Sequence, residues 1–208
     1  MEIQALIEYG IASSAKSGEE VSGDAHVILG TEYGAIVAVI DGMGHGDVAH
    51  AVAQEVANTI KAHADDSIVQ VVQTCHSVIT GTRGATLAVA AFDASDNTIT
   101  WVGVGNVRGK VFRASPTDIP RVEYLLPRPG VVGYVLPPLG GAILVMEKGD
   151  TLIFATDGVG PSFVEDVDPM VSPQLLANDI LENYSTGQDD ALVCVVKYLG
   201  ARGRDDEH

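Results

Sequence analysis

Five aspartates at four places in the 208-residue chain share one setting. Asp24, Asp41, Asp157 and the pair Asp189-Asp190 each stand where an apolar run begins or ends, beside a glycine or a second aspartate. The clearest case is Val37-Ala38-Val39-Ile40-Asp41-Gly42-Met43-Gly44-His45-Gly46. Its apolar, largely β-branched run reads as a buried strand. Asp41 therefore sits where the backbone turns out of the core, and the glycines after it let the main chain approach a ligand closely. Hard divalent cations take oxygen ligands, and Asp41 with the Gly42 carbonyl offers two adjacent ones. Thr156-Asp157-Gly158 repeats the pattern. A single Asp-Gly pair is most simply a solvated turn, because aspartate is common there. Four such ends brought together would crowd carboxylates too densely to stay ionised without cations. Mg²⁺ or Mn²⁺ would neutralise them, and two ions about 4 Å apart hold a bridging hydroxide and polarise a phosphoryl oxygen. The chemistry would be hydrolysis of a phosphate ester with no protein nucleophile.

The bulk properties narrow the classes. A formal charge of −16 argues against nucleic acid, whose phosphates need basic patches, and against anionic membrane surfaces. A hydrophobic share of 46% at this length suits an ordered chain with a core of its own. Cys75 and Cys194 each lie in an apolar pattern, which reads as buried free thiols, and no Cys/His cluster suggests zinc. The N-terminus lacks a basic stretch followed by an apolar run, and no apolar stretch reaches about 18 residues. The expected setting is cytoplasmic.

The elements that must place the aspartates follow from periodicity. Strands are expected in 3–14, 25–29 and 35–41, the last two as a hairpin turning at 31–34. Asp24 and Asp41 then lie at the hairpin's open end, facing one cleft without being direct neighbours. Asp47 is the expected N-cap of a helix with Val48, Val52, Val56 and Ile60 at four-residue spacing. A second helix spans about 67–80. Strand periodicity returns at 85–92, 98–104 and 107–113, with a turn at 93–97 and a hairpin signal at Gly105-Asn106. Residues 114–139 hold six of the nine prolines and read as an extended, partly irregular excursion. Strands at 142–147 and 150–156, a short helix after Gly160, a helix over 173–183 and a strand at 191–199 complete the chain. Strands before and after helical blocks suggest a layered α+β architecture, with sheets in the middle and helices outside.

In this order, Asp41-Gly-Met-Gly-His-Gly, Gly84-Ala-Thr-Leu, Gly105-Asn106, Thr156-Asp157-Gly158 and Asp189-Asp190 resemble the successive motifs of metal-dependent PP2C-type (PPM) serine/threonine phosphatases. The Asp-Gly-Met-Gly-His-Gly form resembles the bacterial sporulation and stress-response branch, and the bare catalytic form resembles the phosphatases that reset the stressosome. The resemblance implies a four-layer α/β/β/α sandwich, two antiparallel sheets flanked by helices. It implies one phosphatase domain over 1–199, with 114–139 as a flap-like excursion and 200–208 as a disordered tail. It makes Asp41 the ligand shared by two Mn²⁺ or Mg²⁺ ions, gives the Gly42 carbonyl to one of them, and lets Asp157 and Asp189 hold the other. Asp24 would bind nearby through water, and Asp190 would support the site or cap a strand. Asp41, Asp157 and Asp189 thus become the catalytic set. The implied substrates are phosphoserine or phosphothreonine on regulatory proteins, stressosome scaffold subunits among them.

Three departures stand out. Met43 occupies the place of a histidine that eukaryotic members use as a proposed general acid, and His45 lies two residues on. Asn106 stands where many members carry an aspartate for a third metal. The family's N-terminal phosphate-binding arginine has no clear counterpart; Lys16 is the nearest cation, and Arg83 precedes Gly84-Ala-Thr. Arg113, Arg121 and Arg128 form a locally basic stretch suited either to an acidic phosphoprotein surface or to a rigid crossover. His26, His50, His63 and His76 read as core-edge or surface residues, and Trp101 as core. A catalytically weak pseudophosphatase that binds a partner, and a structural cation-binding domain, are the other readings.

Overall fold

The computed structural model describes residues 3–115, 117, 120–164, 168 and 170–200. A 3-10 turn, Ile3–Ala5, precedes β1 (Ile7–Ser14), so the expected first strand begins later than residue 3. There follow β2 (Asp24–Gly30), β3 (Gly34–Gly42), α1 (Gly46–Ala62), α2 (Ile68–Val78), β4 (Ala85–Asp93), β5 (Thr98–Val104) and β6 (Arg108–Phe112). Then come β7 (Val122–Leu125), β8 (Ala142–Val145), β9 (Thr151–Ala155), a 3-10 turn at Pro161–Val164, α3 (Pro173–Tyr184) and β10 (Ala191–Tyr198).

The strands form two antiparallel five-stranded sheets, ordered β1-β10-β9-β6-β7 and β2-β3-β4-β5-β8. Residue parity explains the layering, because successive side chains on a strand face opposite ways. On β3, Ile36, Ala38 and Ile40 pack outward against α1 and α2, with Val52, Val56, Ile60, Val71 and Val72. Val37 and Val39 point inward and meet Phe154, Leu192 and Cys194 of the other sheet. On that sheet Ile153, Ala155, Val193 and Val195 pack outward against Leu176, Ala177 and Ile180 of α3. A strand covered on both faces must be apolar at every position, which is why β3 shows no alternation of polar and apolar residues. Each fully buried Val, Leu or Phe contributes about 1.5–3 kcal/mol. The result is the expected four-layer α/β/β/α sandwich.

Four local expectations need correction. Gly105-Asn106 is not a hairpin: β5 and β6 lie in different sheets, so the turn carries the chain across the sandwich. Its Gly105 has φ +100, which suits a tight reversal of either kind, and turn chemistry alone does not choose the partner strand. The N-cap of α1 is His45 rather than Asp47, which lies in the first turn, where a carboxylate still favours the helix dipole. The proline-rich stretch contains a real strand, β7, paired with β6 from Gly109↔Leu125 to Phe112↔Val122. Beyond β7 the chain crosses to the other sheet, pairing Arg128 with Gly103 and Gly105, and Val132 with Ala85. Finally, Asp24 and Asp41 are direct cross-strand partners in the β2–β3 hairpin. The expected tail, apart from Gly200, lies outside the described residues, as do Pro116, Asp118 and Ile119 of the excursion. The other strands and helices agree with expectation to within two or three residues at their ends.

Candidate metal centre

The inward parity of β3 runs Val37, Val39, Asp41, so Asp41 lies at the open end of the inter-sheet layer. Its cross-strand partners, Asp24 on β2 and Thr86 on β4, share that face. From the opposite sheet, Leu152 and Phe154 on β9 lead by the same parity to Thr156, and Leu192 and Cys194 on β10 lead back to Asp190. The two sheets therefore bring polar side chains face to face at one end of an otherwise apolar interior. A hydrogen bond closes the gap: Thr156 Oγ1 donates to Asp24 Oδ2 at 2.8 Å, while accepting from the Leu192 amide at 2.8 Å.

Close backbone approach holds the loops. A Cβ at Gly42 would stand 2.3 Å from the Ala49 carbonyl oxygen of α1, and one at Gly158 would stand 2.0 Å from that of Asp190. The first contact presses the Asp41-Gly42 turn against the helix. The second presses Asp157-Gly158 against Asp189-Asp190, so these acids meet although distant in sequence. Asp190 is buried and accepts the Lys16 and Gly23 amides, both at 2.9 Å. It ties the loop before β2 to the start of β10. Asn106 donates to Asp157 Oδ2 at 2.7 Å and accepts from Thr86 Oγ1 at 2.5 Å; the same hydroxyl lies 3.5 Å from Asp41 Oδ2.

The electrostatics follow from that crowding. Burial pushes the Asp24 carboxyl up to about 8, and the charges of Asp41, Asp190 and Asp157 add to it against the Thr156 hydrogen bond. Burial likewise lifts Asp41 to about 7, reinforced by Asp157 and Asp189 and opposed by hydrogen bonds from Asn106 and Thr86. Asp24 thus feels Asp41, Asp157 and Asp190, and Asp41 feels Asp157 and Asp189, which links all five sequence-predicted aspartates. Among the described residues no three acid, histidine or cysteine side chains yet form a closed cage. Asp24 and Asp157 are each turned to a protein donor instead, Thr156 and Asn106. The donor set nonetheless suits a hard divalent cation: all oxygen, carboxyls with one main-chain carbonyl, two of the carboxyls held above their ordinary range by burial and by their neighbours.

The other residues singled out in the sequence fall in different places. Met43 is at the surface of the loop, and its amide donates to the Gly84 carbonyl at 3.0 Å. His45 is exposed, with Nδ1 2.5 Å from Glu19 Oε1, so its polar contact is with the loop before β2. The three arginines of the proline-rich stretch do not form one patch. Arg113 lies at the other end of the sandwich, in an ion pair with buried Asp150 at 2.6 Å and in another with Glu123. Its amide pairs with the Arg121 carbonyl there, whereas Arg128 sits against Gly103 and Gly105. Like charges close in sequence are separated here by a crossing between sheets. His76 Nδ1 accepts the Gly133 amide at 2.9 Å, and Cys75 and Cys194 are buried and free, both thiols pushed up to about 12 by desolvation. Trp101 belongs to the inter-sheet core.

Three residues at the site carried no sequence signal of their own. Thr86 and Thr156 lie inside the recognised motifs but gain their roles from the residues opposite. Arg108 is half-buried and donates to the carbonyls of Thr156, at 3.2 Å, and Val159. It braces the loop that presents Asp157, whose charge partly offsets the lowering of Arg108 by burial. Strand parity applied to both sheets together would have found the threonines; an arginine bonding only main-chain oxygens leaves no pattern.

The model of the family described as stage II sporulation protein E (SpoIIE) matches residues 31–199. The chain is 24% identical over 185 residues to the phosphoserine phosphatase RsbX of Bacillus subtilis (strain 168), covering 88% of this chain and 90% of that one. Among solved structures, one from work on the bacterial stressosome as a modular system adapted to control secondary messenger signaling superposes with a TM-score of 0.83 at 28% identity. It covers 92% of this chain and 99% of its own. RsbX in complex with magnesium superposes with a TM-score of 0.82 at 22% identity, over 93% and 96% of the two chains.

Proposed function

From the premise that this chain belongs to the stage II sporulation protein E (SpoIIE) family, we propose that it is a metal-dependent phosphatase of phosphoserine and phosphothreonine on regulatory proteins. The observation that carries the reading is the meeting of carboxylates from both sheets at one end of the sandwich, two of them raised by burial and by each other. Asp41, the Gly42 carbonyl, Asp157, Asp189 and, less directly, Asp24 would hold two Mn²⁺ or Mg²⁺ ions, which supply Lewis acidity toward the phosphoryl group.

The chain's own part is orientation. Thr156 fixes one oxygen of Asp24, and Asn106 fixes one of Asp157. Asp190, held by one amide on each oxygen, keeps the strand ends together. Arg108 holds the carbonyls on either side of Asp157 and Gly158. Such supporting contacts set how well ligands converge. With Asn106 engaged by Thr86 and Asp157, the position is occupied by a neutral bridge, which supports a two-ion site over a three-ion one.

The likeness to RsbX and to a structure from work on the bacterial stressosome supports phosphorylated stressosome scaffold subunits as the substrates. Residues 1–199 are read as one phosphatase domain working in the cytoplasm; among the described residues no helix is long and apolar enough to cross a membrane. The test is hydrolysis of p-nitrophenyl phosphate and of a phosphorylated scaffold subunit, with Mn²⁺ and with chelator. Turnover is expected with the metal alone and lost in Asp41→Asn. Equal, slow hydrolysis by wild type and Asp41→Asn would leave the partner-binding module as the better reading.

A further inference from the structure

A cleft this acidic needs a positive group for the substrate's own charge as well as for its carboxylates. Arg108 is committed to main-chain carbonyls. Arg128 extends toward Gly140, with Nη2 3.8 Å from where a Cβ there would stand. Arg83 differs from both. It is exposed, and among the described residues its guanidinium has no hydrogen bond or ion pair. It lies across Gly44, with Nη1 3.0 Å from where a Cβ of residue 44 would stand. Gly44 has φ +101, so the position favours glycine for its backbone, and the missing side chain is the space that Arg83 fills.

The base of Arg83 is fixed on both sides. The Gly84 carbonyl accepts the Met43 amide at 3.0 Å, joining the arginine's loop to the turn that carries Asp41 and Gly42. Thr82 Oγ1 donates to the Ile79 carbonyl at 2.7 Å and accepts the Gly84 amide at 3.1 Å. Ala85 pairs with Val132 in both directions, at 3.0 and 2.8 Å. A pinned loop thus carries an arginine with no protein partner over the turn that follows Asp41 and Gly42.

We infer that Arg83 is the phosphoryl-binding residue of this site, taking two non-bridging oxygens of the substrate's phosphate through its planar fork. The inference rests on the phosphatase reading above. A guanidinium stays charged throughout catalysis and matches two phosphoryl oxygens at once, which an ammonium does not. The position supplies a fork that the N-terminal stretch lacks, where Lys16 presents only a point charge.

The experiment compares wild type with Arg83→Ala, Arg83→Lys and Lys16→Ala, at saturating Mn²⁺ and over a Mn²⁺ titration. It measures kcat/KM on p-nitrophenyl phosphate, orthophosphate binding by titration calorimetry, the Mn²⁺ activation midpoint and Tm. Arg83→Ala is expected to lower both kcat/KM and orthophosphate affinity about tenfold to a hundredfold, the worth of hydrogen bonds to a charged group. Arg83→Lys should fall between, with the Mn²⁺ midpoint and Tm unchanged. Wild-type orthophosphate affinity in Arg83→Ala, or the same loss in Lys16→Ala instead, overturns the inference. So does a loss in Arg83→Ala that comes with a shifted Mn²⁺ midpoint, because the residue would then act through the loop. A wild type with no Mn²⁺-dependent turnover, or no more than Asp41→Asn, overturns the phosphatase reading itself.

Discussion

The two ends of the sandwich treat buried carboxylates in opposite ways. At one end Asp150 is fully buried and matched within the chain: Arg113 pairs with it at 2.6 Å, and the amides of Ala114 and Glu147 donate to it at 2.9 and 3.0 Å. At the other end Asp24 is also buried, with one hydroxyl donor and further acids around it, and its carboxyl is pushed up to about 8. Asp150, which only holds the fold together, is given a cation by the sequence. On the proposed reading, Asp24 and Asp41 are arranged to take one from solution.

That contrast can be broken in four places. The largest effect is expected for Asp41→Asn, which should lower Mn²⁺-dependent turnover by several kcal/mol of activation, on the order of a thousandfold. Its metal-free Tm should hold or rise, because one charge leaves a repulsive group. At the other end, Arg113→Ala should cost about 3 kcal/mol or more in urea unfolding by stranding Asp150. The Mn²⁺ activation midpoint should not move. If the two variants exchange signatures, the division between the ends is wrong. Next, Asn106→Ala should raise the Mn²⁺ midpoint about tenfold to a hundredfold, the usual result of removing a group that orients a ligand. An unchanged midpoint would assign Asn106 no part in presenting Asp157.

The fourth effect is a slope. Asp24 and Asp41 hold their protons more tightly folded than unfolded, so between about pH 4 and pH 8 the folded state binds more protons. Stability of the metal-free protein should therefore decline as pH rises through that window. Melting curves in chelator at several pH values would follow it, and added Mn²⁺ should flatten the decline. A metal-free protein that grows more stable toward pH 8 would contradict the crowding.

Much of this was legible in the sequence, and for identifiable reasons. Val37-Ala38-Val39-Ile40-Asp41 is apolar because both of its faces are covered, and it stops being apolar where the cleft begins. The Asp-Gly pairs mark strand ends because Gly42 and Gly158 lie where a Cβ would strike a neighbouring carbonyl. Relations between strands were harder to read. Gly105-Asn106 looks the same whether the chain folds back or crosses to the other sheet. Asp24 and Asp41 became direct partners only once the hairpin register was known. Arg113, Arg121 and Arg128 look like one basic surface in one dimension, but Arg113 belongs to Asp150. Thr156 gains its meaning from a carboxylate on the other sheet.

The position of β10 bears on how the protein is made. This last strand lies between β1 and β9, paired from Ile7↔Tyr198 to Ser14↔Ala191 on one side and with Thr151–Ala155 on the other. A ribosome delivers β1 well before β10, so the earlier strand waits for its neighbour while the strands and helices between them are made. Contacts so distant in sequence are slow to form. The same strand follows directly on Asp189 and Asp190, so a polypeptide that has not yet reached it holds an unfinished cleft.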